Sequence, residues 1–117
     1  MAQFIHQRWQ ALGRKIKPEV SSDPKSSLIY MAQPFMVPGG RFREVYYWDS
    51  YWTILGLLAS DMTTTVRGML ENFAGLINKY GHIPNGNRIY YIRRSQPPFY
   101  TSMVDAYHKV LTNYIEL

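Results

Sequence analysis

Residues 48–80 read WDSYWTILGLLASDMTTTVRGMLENFAGLINKY. Apolar residues recur there at steps of three and four, which predicts two helices, from about Trp48 to Ser60 and from about Thr64 to Tyr80. In the first, Trp48, Tyr51, Trp52, Leu55, Leu58 and Ala59 form one stripe that Ile54 and Leu57 widen, so most of its circumference should be buried. The second carries Val66, Met69, Leu70, Phe73, Leu76, Ile77 and Tyr80 on one face. Gly81 stands where a left-handed residue would end that helix, with Pro84 beyond it. Joined at Asp61–Thr63, the pair makes an αα-hairpin. No convincing strand alternation competes with it, so the expected class is all-α.

Working outward, Ile5, Trp9, Leu12 and Ile16 fall on one helical face, which predicts a helix from about Gln3 to Lys17 that Pro18 ends. Residues 18–40 hold four prolines and two Ser-Ser pairs, an irregular connection longer than most loops of compact domains. A last helix is expected from Ser102, where Ser102 and Asp105 have capping-box spacing, and Val104, Tyr107, Leu111 and Tyr114 continue its stripe toward Ile115 and Leu117. Its apolar pattern has no terminating signal, which predicts that the intact protein continues. Arg88–Ile92 reads as a short extended segment. The expected organisation is a helix over 1–17, a Pro/Gly-rich loop over 18–47, a helical hairpin over 48–80, a binding loop over 81–101 and a helix over 102–117.

At 117 residues and 46% hydrophobic content, the chain is long enough to build a core. Without cysteine it holds neither a disulfide framework nor a thiolate metal site. The longest apolar run, Ile54 to Ala59, is far shorter than a bilayer requires. A net charge of +5 raises nucleic-acid binding, but the positives are scattered and no nucleic-acid motif accompanies them, so nucleic acid is not an expected partner. His6, His82 and His108 lack metal-ligand spacing, so no metal site is expected. Gly39-Gly40 lacks the later glycine and the Lys-Ser/Thr pair of a phosphate loop.

The chemistry-bearing residues cluster in two blocks. Residues 38–52, PGGRFREVYYWDSYW, combine two arginines, two acids and a run of aromatic rings behind a Gly-Gly pair. Residues 81–88, GHIPNGNR, and 94–98, RSQPP, form the second block. A neutral sugar needs paired donors and acceptors for its hydroxyls and aromatic faces for its C–H surfaces. Arginine offers a rigid fork of donors, and Asp or Asn the acceptors. Those types gather at Arg41, Trp48, Asp49, Asn85, Arg94, Ser95 and Gln96. Each has a plainer reading: Trp48 as core, Asp49 as a helix cap, Asn85-Gly86 as turn chemistry. Arg43 and Glu44 read as a local ion pair or scaffold outside the site.

Both blocks, in this order, closely resemble the trehalases, inverting glycoside hydrolases that split α,α-trehalose into two glucoses. The resemblance covers residues 28–104 well and 1–27 more weakly. It implies that the four helices are part of an (α/α)6 toroid, that the seven residues contact trehalose, and that no cofactor is needed. Such enzymes use an acid and a base on opposite faces of the sugar, roughly 6.5–9.5 Å apart. The resemblance places that Asp and Glu beyond both blocks, and the Gln-Trp-Asp-type second signature is absent here, so this segment is expected to contain no catalytic residue and to be inactive alone. The alternative is a non-catalytic carbohydrate-binding or interaction protein derived from the same fold.

Overall fold

The computed structural model describes the backbone of residues 1–115 and the side chains of residues 1–113. Its centre is the expected hairpin. Helix α3 spans Asp49–Ala59 and α4 spans Thr63–Tyr80, and Gly81 closes α4 in the left-handed conformation, φ +80°. Helix α5, Tyr100–Ile115, packs against both. Ile54, Leu57, Val66, Met69, Phe73 and Met103 are almost completely enclosed where the three meet.

The buried face of α3 differs from the expected stripe. Ser50, Ile54, Leu57 and Leu58 point inward, whereas Trp48, Trp52 and Leu55 remain 39%, 49% and 39% exposed. A helix apolar nearly all round has no periodicity to choose a face, so its neighbours choose instead. Helices α4 and α5 cover the Ile54–Leu57 side. Trp9 covers another, its ring against Gly56 and its Nε1 donating to Ser60 Oγ at 3.1 Å.

The first helix is shorter than expected. It consists of α1, Ala2–Gln7, and α2, Trp9–Leu12, joined by a tightened turn in which the Arg8 N–H donates to the Ile5 carbonyl at 3.1 Å. It stops at Gly13, not Lys17. Glycine costs a helix about 1 kcal/mol relative to alanine, and here Gly13–Arg14 (β1) pairs antiparallel with Phe35–Met36 (β2), Gly13 opposite Met36. Ile16 is still buried, but as part of an extended segment, while Ile5 is 58% exposed.

The long connection between α2 and α3 contributes core as well as length. Ile29, Met31, Phe35, Val37 and Val45 are all buried beneath it. Two further expectations change at the C-terminal side. Ile89–Tyr91 forms a 3-10 turn, and within the supposed extended segment Arg88 alone bridges to Leu28. Helix α5 begins two residues before Ser102, so the capping box does not form. Its Asp105 pairs with Lys109 at 2.9 Å instead. The expected stripe at Tyr114, Ile115 and Leu117 lies outside the described side chains.

Candidate functional site at the start of helix α3

Three loop segments converge on the N-terminus of α3, and the backbone holds them together. Tyr46 and Gly86 form an antiparallel bridge, and the Tyr47 N–H donates to the Asn85 carbonyl at 3.1 Å. One step further out, the Asn85 N–H donates to the Arg94 carbonyl at 2.9 Å. Ser95 Oγ closes the set by donating to the Ile83 carbonyl at 2.6 Å. Residues 45–49, 83–87 and 94–96 therefore form one scaffold, although 51 positions separate Val45 from Gln96.

Six of the seven candidate residues stand on that scaffold. The Trp48 N–H donates to Gln96 Oε1 at 3.0 Å, so the glutamine satisfies one of the amides that a helix start leaves without an intrahelical partner. Trp48 is not core: the residue is 39% exposed, and its ring sits edge-on to Trp52 at 5.4 Å. Nor is Asp49 a cap. It is the first residue of α3, its side chain does not cap that end, and its carboxylate has no hydrogen-bond or ion-pair partner among the described residues. The Asn85 side-chain amide is likewise unpartnered there. Ser95 gives its proton to Ile83 and keeps its oxygen as an acceptor.

Arg94 and Arg41 are held differently. The Arg94 guanidinium lies over the Tyr91 ring at 5.3 Å, and neither arginine has an ion-pair or hydrogen-bond partner for its guanidinium among the described residues. Arg41 occupies the corner of a tight turn whose Gly39 and Phe42 exchange backbone hydrogen bonds at 3.2 and 3.0 Å. Gly39 and Gly40 have φ of +105° and +59°, which is where glycine is needed. The Arg41 guanidinium lies over Phe42 at 4.9 Å. Rings, not backbone, connect this turn to the scaffold: Phe42 meets Tyr46 at 5.8 Å, and Tyr46 meets Tyr91 at 6.1 Å.

Glu44 pairs with a different residue from the one expected. Its carboxylate accepts from Arg88 Nε at 2.6 Å, and Arg88 Nη1 also donates to Ser27 Oγ at 2.9 Å, while Arg43 makes no ion pair among the described residues. The scaffold half of the expectation stands; the local Arg43–Glu44 pair does not form. Residue types alone also passed over Tyr46, Gly86, Asn87 and Tyr91. Asn87 Oδ1 accepts the Val45 N–H at 3.1 Å, and its backbone joins Val45 and Ile29. Burial and a hydrogen bond to Tyr91 push the Tyr46 phenol up to about 12. The signal for Gly86, Asn87 and Tyr91 was their closeness in sequence to Asn85, and for Tyr46 its place in the aromatic run beside Trp48. A concavity of about 570 Å³, lined by Ala2, His6, Ala59 and Ser60 among others, opens at the opposite end of α3, away from the seven residues.

Among the described residues, the arrangement offers two guanidinium groups and one carboxylate without hydrogen-bond or ion-pair partners, the unpartnered side-chain amide of Asn85, and an exposed indole. That donor and acceptor set suits a polyhydroxylated neutral ligand. A family profile described as Trehalase matches residues 1–116. The chain belongs to the trehalase family. It is 61% identical to a trehalase of Oryctolagus cuniculus over 107 residues, covering 91% of this chain and 18% of that protein. A trehalase of Homo sapiens is 61% identical over 104 residues, covering 88% and 18%. Among solved structures, the neutral trehalase of Saccharomyces cerevisiae matches with a TM-score of 0.63 and 55% identity over 67% of this chain and 14% of that one. The fold class is all-α, and the helices are part of the (α/α)6 toroid of that neighbour. The chain spans less than a fifth of the length of these relatives.

Proposed function

We propose that this segment forms the trehalose-contacting part of a trehalase pocket, with Arg41, Trp48, Asp49, Asn85, Arg94, Ser95 and Gln96 as the contacts. The observation that carries the reading is that, among the described residues, the side chains of Asp49, Asn85 and Arg94 on an otherwise well-bonded scaffold, and of Arg41 beside it, have no hydrogen-bond or ion-pair partner. Half-exposed polar groups held in place but not used by the protein are suited to a ligand. Trp48 adds a ring face for the sugar's C–H surface.

The catalytic acid and base come from elsewhere in the intact enzyme. Of the two carboxylates near the scaffold, Glu44 is engaged by Arg88, which leaves Asp49 as one carboxylate where inversion needs two. Each missing acid or base removes about 10²–10⁴-fold of rate enhancement. The isolated segment should therefore hydrolyse trehalose no faster than background.

The test uses the intact trehalase that carries this segment. Proton NMR of early product from α,α-trehalose should show one β-glucose and one α-glucose, since inversion at one anomeric carbon leaves the other untouched. Absence of hydrolysis, or unchanged kcat/KM in both Asp49→Asn and Arg94→Ala, would reject the reading. Trehalose binding without turnover would favour the non-catalytic alternative.

A further inference from the structure

We propose that Tyr91 and Phe42 are positioning residues for Arg94 and Arg41, and that with Tyr46 they form a continuous aromatic strut fixing the spacing between the two guanidinium groups. The proposal rests on the reading of those arginines as sugar contacts.

Arginine is rotamer-rich, and an unanchored one loses that freedom only when ligand binds. An ion pair would anchor it, but a bidentate carboxylate uses the same in-plane N–H groups that must meet sugar hydroxyls. A ring face restrains the guanidinium through its π surface and leaves the N–H fork free. Both arginines are held this way, at 4.9 Å over Phe42 and 5.3 Å over Tyr91, with no ion pair among the described residues.

The rings between them are themselves fixed. Phe42 stands edge-on to Tyr46, at 5.8 Å and 88°, and Tyr46 meets Tyr91 at 6.1 Å and 61°. Beneath Tyr91 lies Gly86, where an added Cβ would stand 3.1 and 3.2 Å from two ring carbons. Tyr91 and Arg94 also share a turn, since the Arg94 N–H donates to the Tyr91 carbonyl at 3.2 Å. The ring therefore cannot drift away from the arginine it faces.

The experiment is a double-mutant cycle in the intact trehalase. Tyr91→Leu should raise the KM for trehalose about two- to fivefold, the loss expected for an exposed cation–π contact, with kcat little changed. Tyr91→Phe, which keeps the ring, should restore KM. In an Arg94→Ala background, Tyr91→Leu should have no further effect on KM. An equal effect in both backgrounds, or failure of phenylalanine to rescue, overturns the proposal. Should Tyr91→Leu not fold, Phe42→Leu with and without Arg41→Ala reads the other end of the strut. If the wild-type enzyme does not hydrolyse trehalose, the functional reading falls by itself. The strut is then judged by crystal structures of wild type and Tyr91→Leu: loss of the single Arg94 side-chain position supports it, and an unchanged position overturns it.

Discussion

The hydroxyl of Tyr47 accepts the backbone N–H of Tyr100 at 3.0 Å across 53 positions of sequence. Tyr100 is the first residue of α5, and its own hydroxyl donates to the Leu70 carbonyl on α4 at 3.0 Å. The two tyrosines thus tie the segment just before Trp48 and Asp49 to the other two long helices, with Phe73 between their rings at 5.8 and 6.2 Å. Replacing Tyr47 by Phe keeps the packing and orphans one helix-start amide. The expected loss is about 1 kcal/mol, as for removal of a helix cap. A fall in the denaturant midpoint with unchanged slope in Tyr47→Phe checks it; an unchanged midpoint contradicts it.

Alkaline pH should weaken the scaffold through its phenols. Burial and the hydrogen bond to Tyr91 raise the Tyr46 phenol to about 12, and burial raises that of Tyr100. A phenol held neutral in the fold contributes stability that is complete below its unfolded pKa of about 10 and disappears as pH rises through the folded value. For Tyr46 that window runs from about 10 to about 12. The denaturant midpoint should fall across it, and less steeply in Tyr46→Phe than in the wild type. Equal slopes in the two proteins would contradict the assignment.

Helices α3 and α4 were legible because their apolar periods are regular and Gly81 marks an end that only a left-handed residue supplies. The end of the first helix was not, since Ile16 keeps helical spacing while Gly13 has already left the helix for a strand partner 23 residues away. The face of α3 was illegible for the opposite reason: too many apolar residues, so that burial at Ile54 and exposure at Trp52 were decided by tertiary neighbours. At the site, residue types and the family resemblance singled out seven positions. What joins them was out of reach, because the Trp48–Gln96 bond and the seat of Tyr91 on Gly86 are long-range or shape-dependent and leave no local pattern.

Gly86 and Gly75 should respond oppositely to alanine. A Cβ on Gly86 would stand 2.9 Å from the Val45 carbonyl oxygen, a backbone atom that cannot turn aside. Overpacking of this kind costs about 1–3 kcal/mol, and it would also displace Tyr91 and raise KM for trehalose. Gly75 is exposed on α4 with nothing within 4 Å of the added carbon. There alanine should stabilise by about 0.5–1 kcal/mol through better helix propensity. Parallel denaturant titrations of the two variants decide it, and a stabilised Gly86→Ala would contradict the packing argument.

The two acids beside the scaffold should separate function from stability. Glu44 is half-buried and accepts from Arg88 at 2.6 Å, so Glu44→Gln weakens a partly desolvated charge pair and should cost about 1–3 kcal/mol of stability while sparing kcat/KM. Among the described residues, Asp49 has no partner to lose beyond the favourable field of the helix start, worth about 0.3–1 kcal/mol. A charge-assisted hydrogen bond to a sugar hydroxyl is worth more, so Asp49→Asn should reduce kcat/KM for trehalose about ten- to a hundredfold with a nearly unchanged melting curve. Paired melting and kinetic measurements on the intact enzyme give the result directly. A variant of Asp49 that melts early and retains full activity would make that carboxylate a structural group and remove it from the proposed contacts.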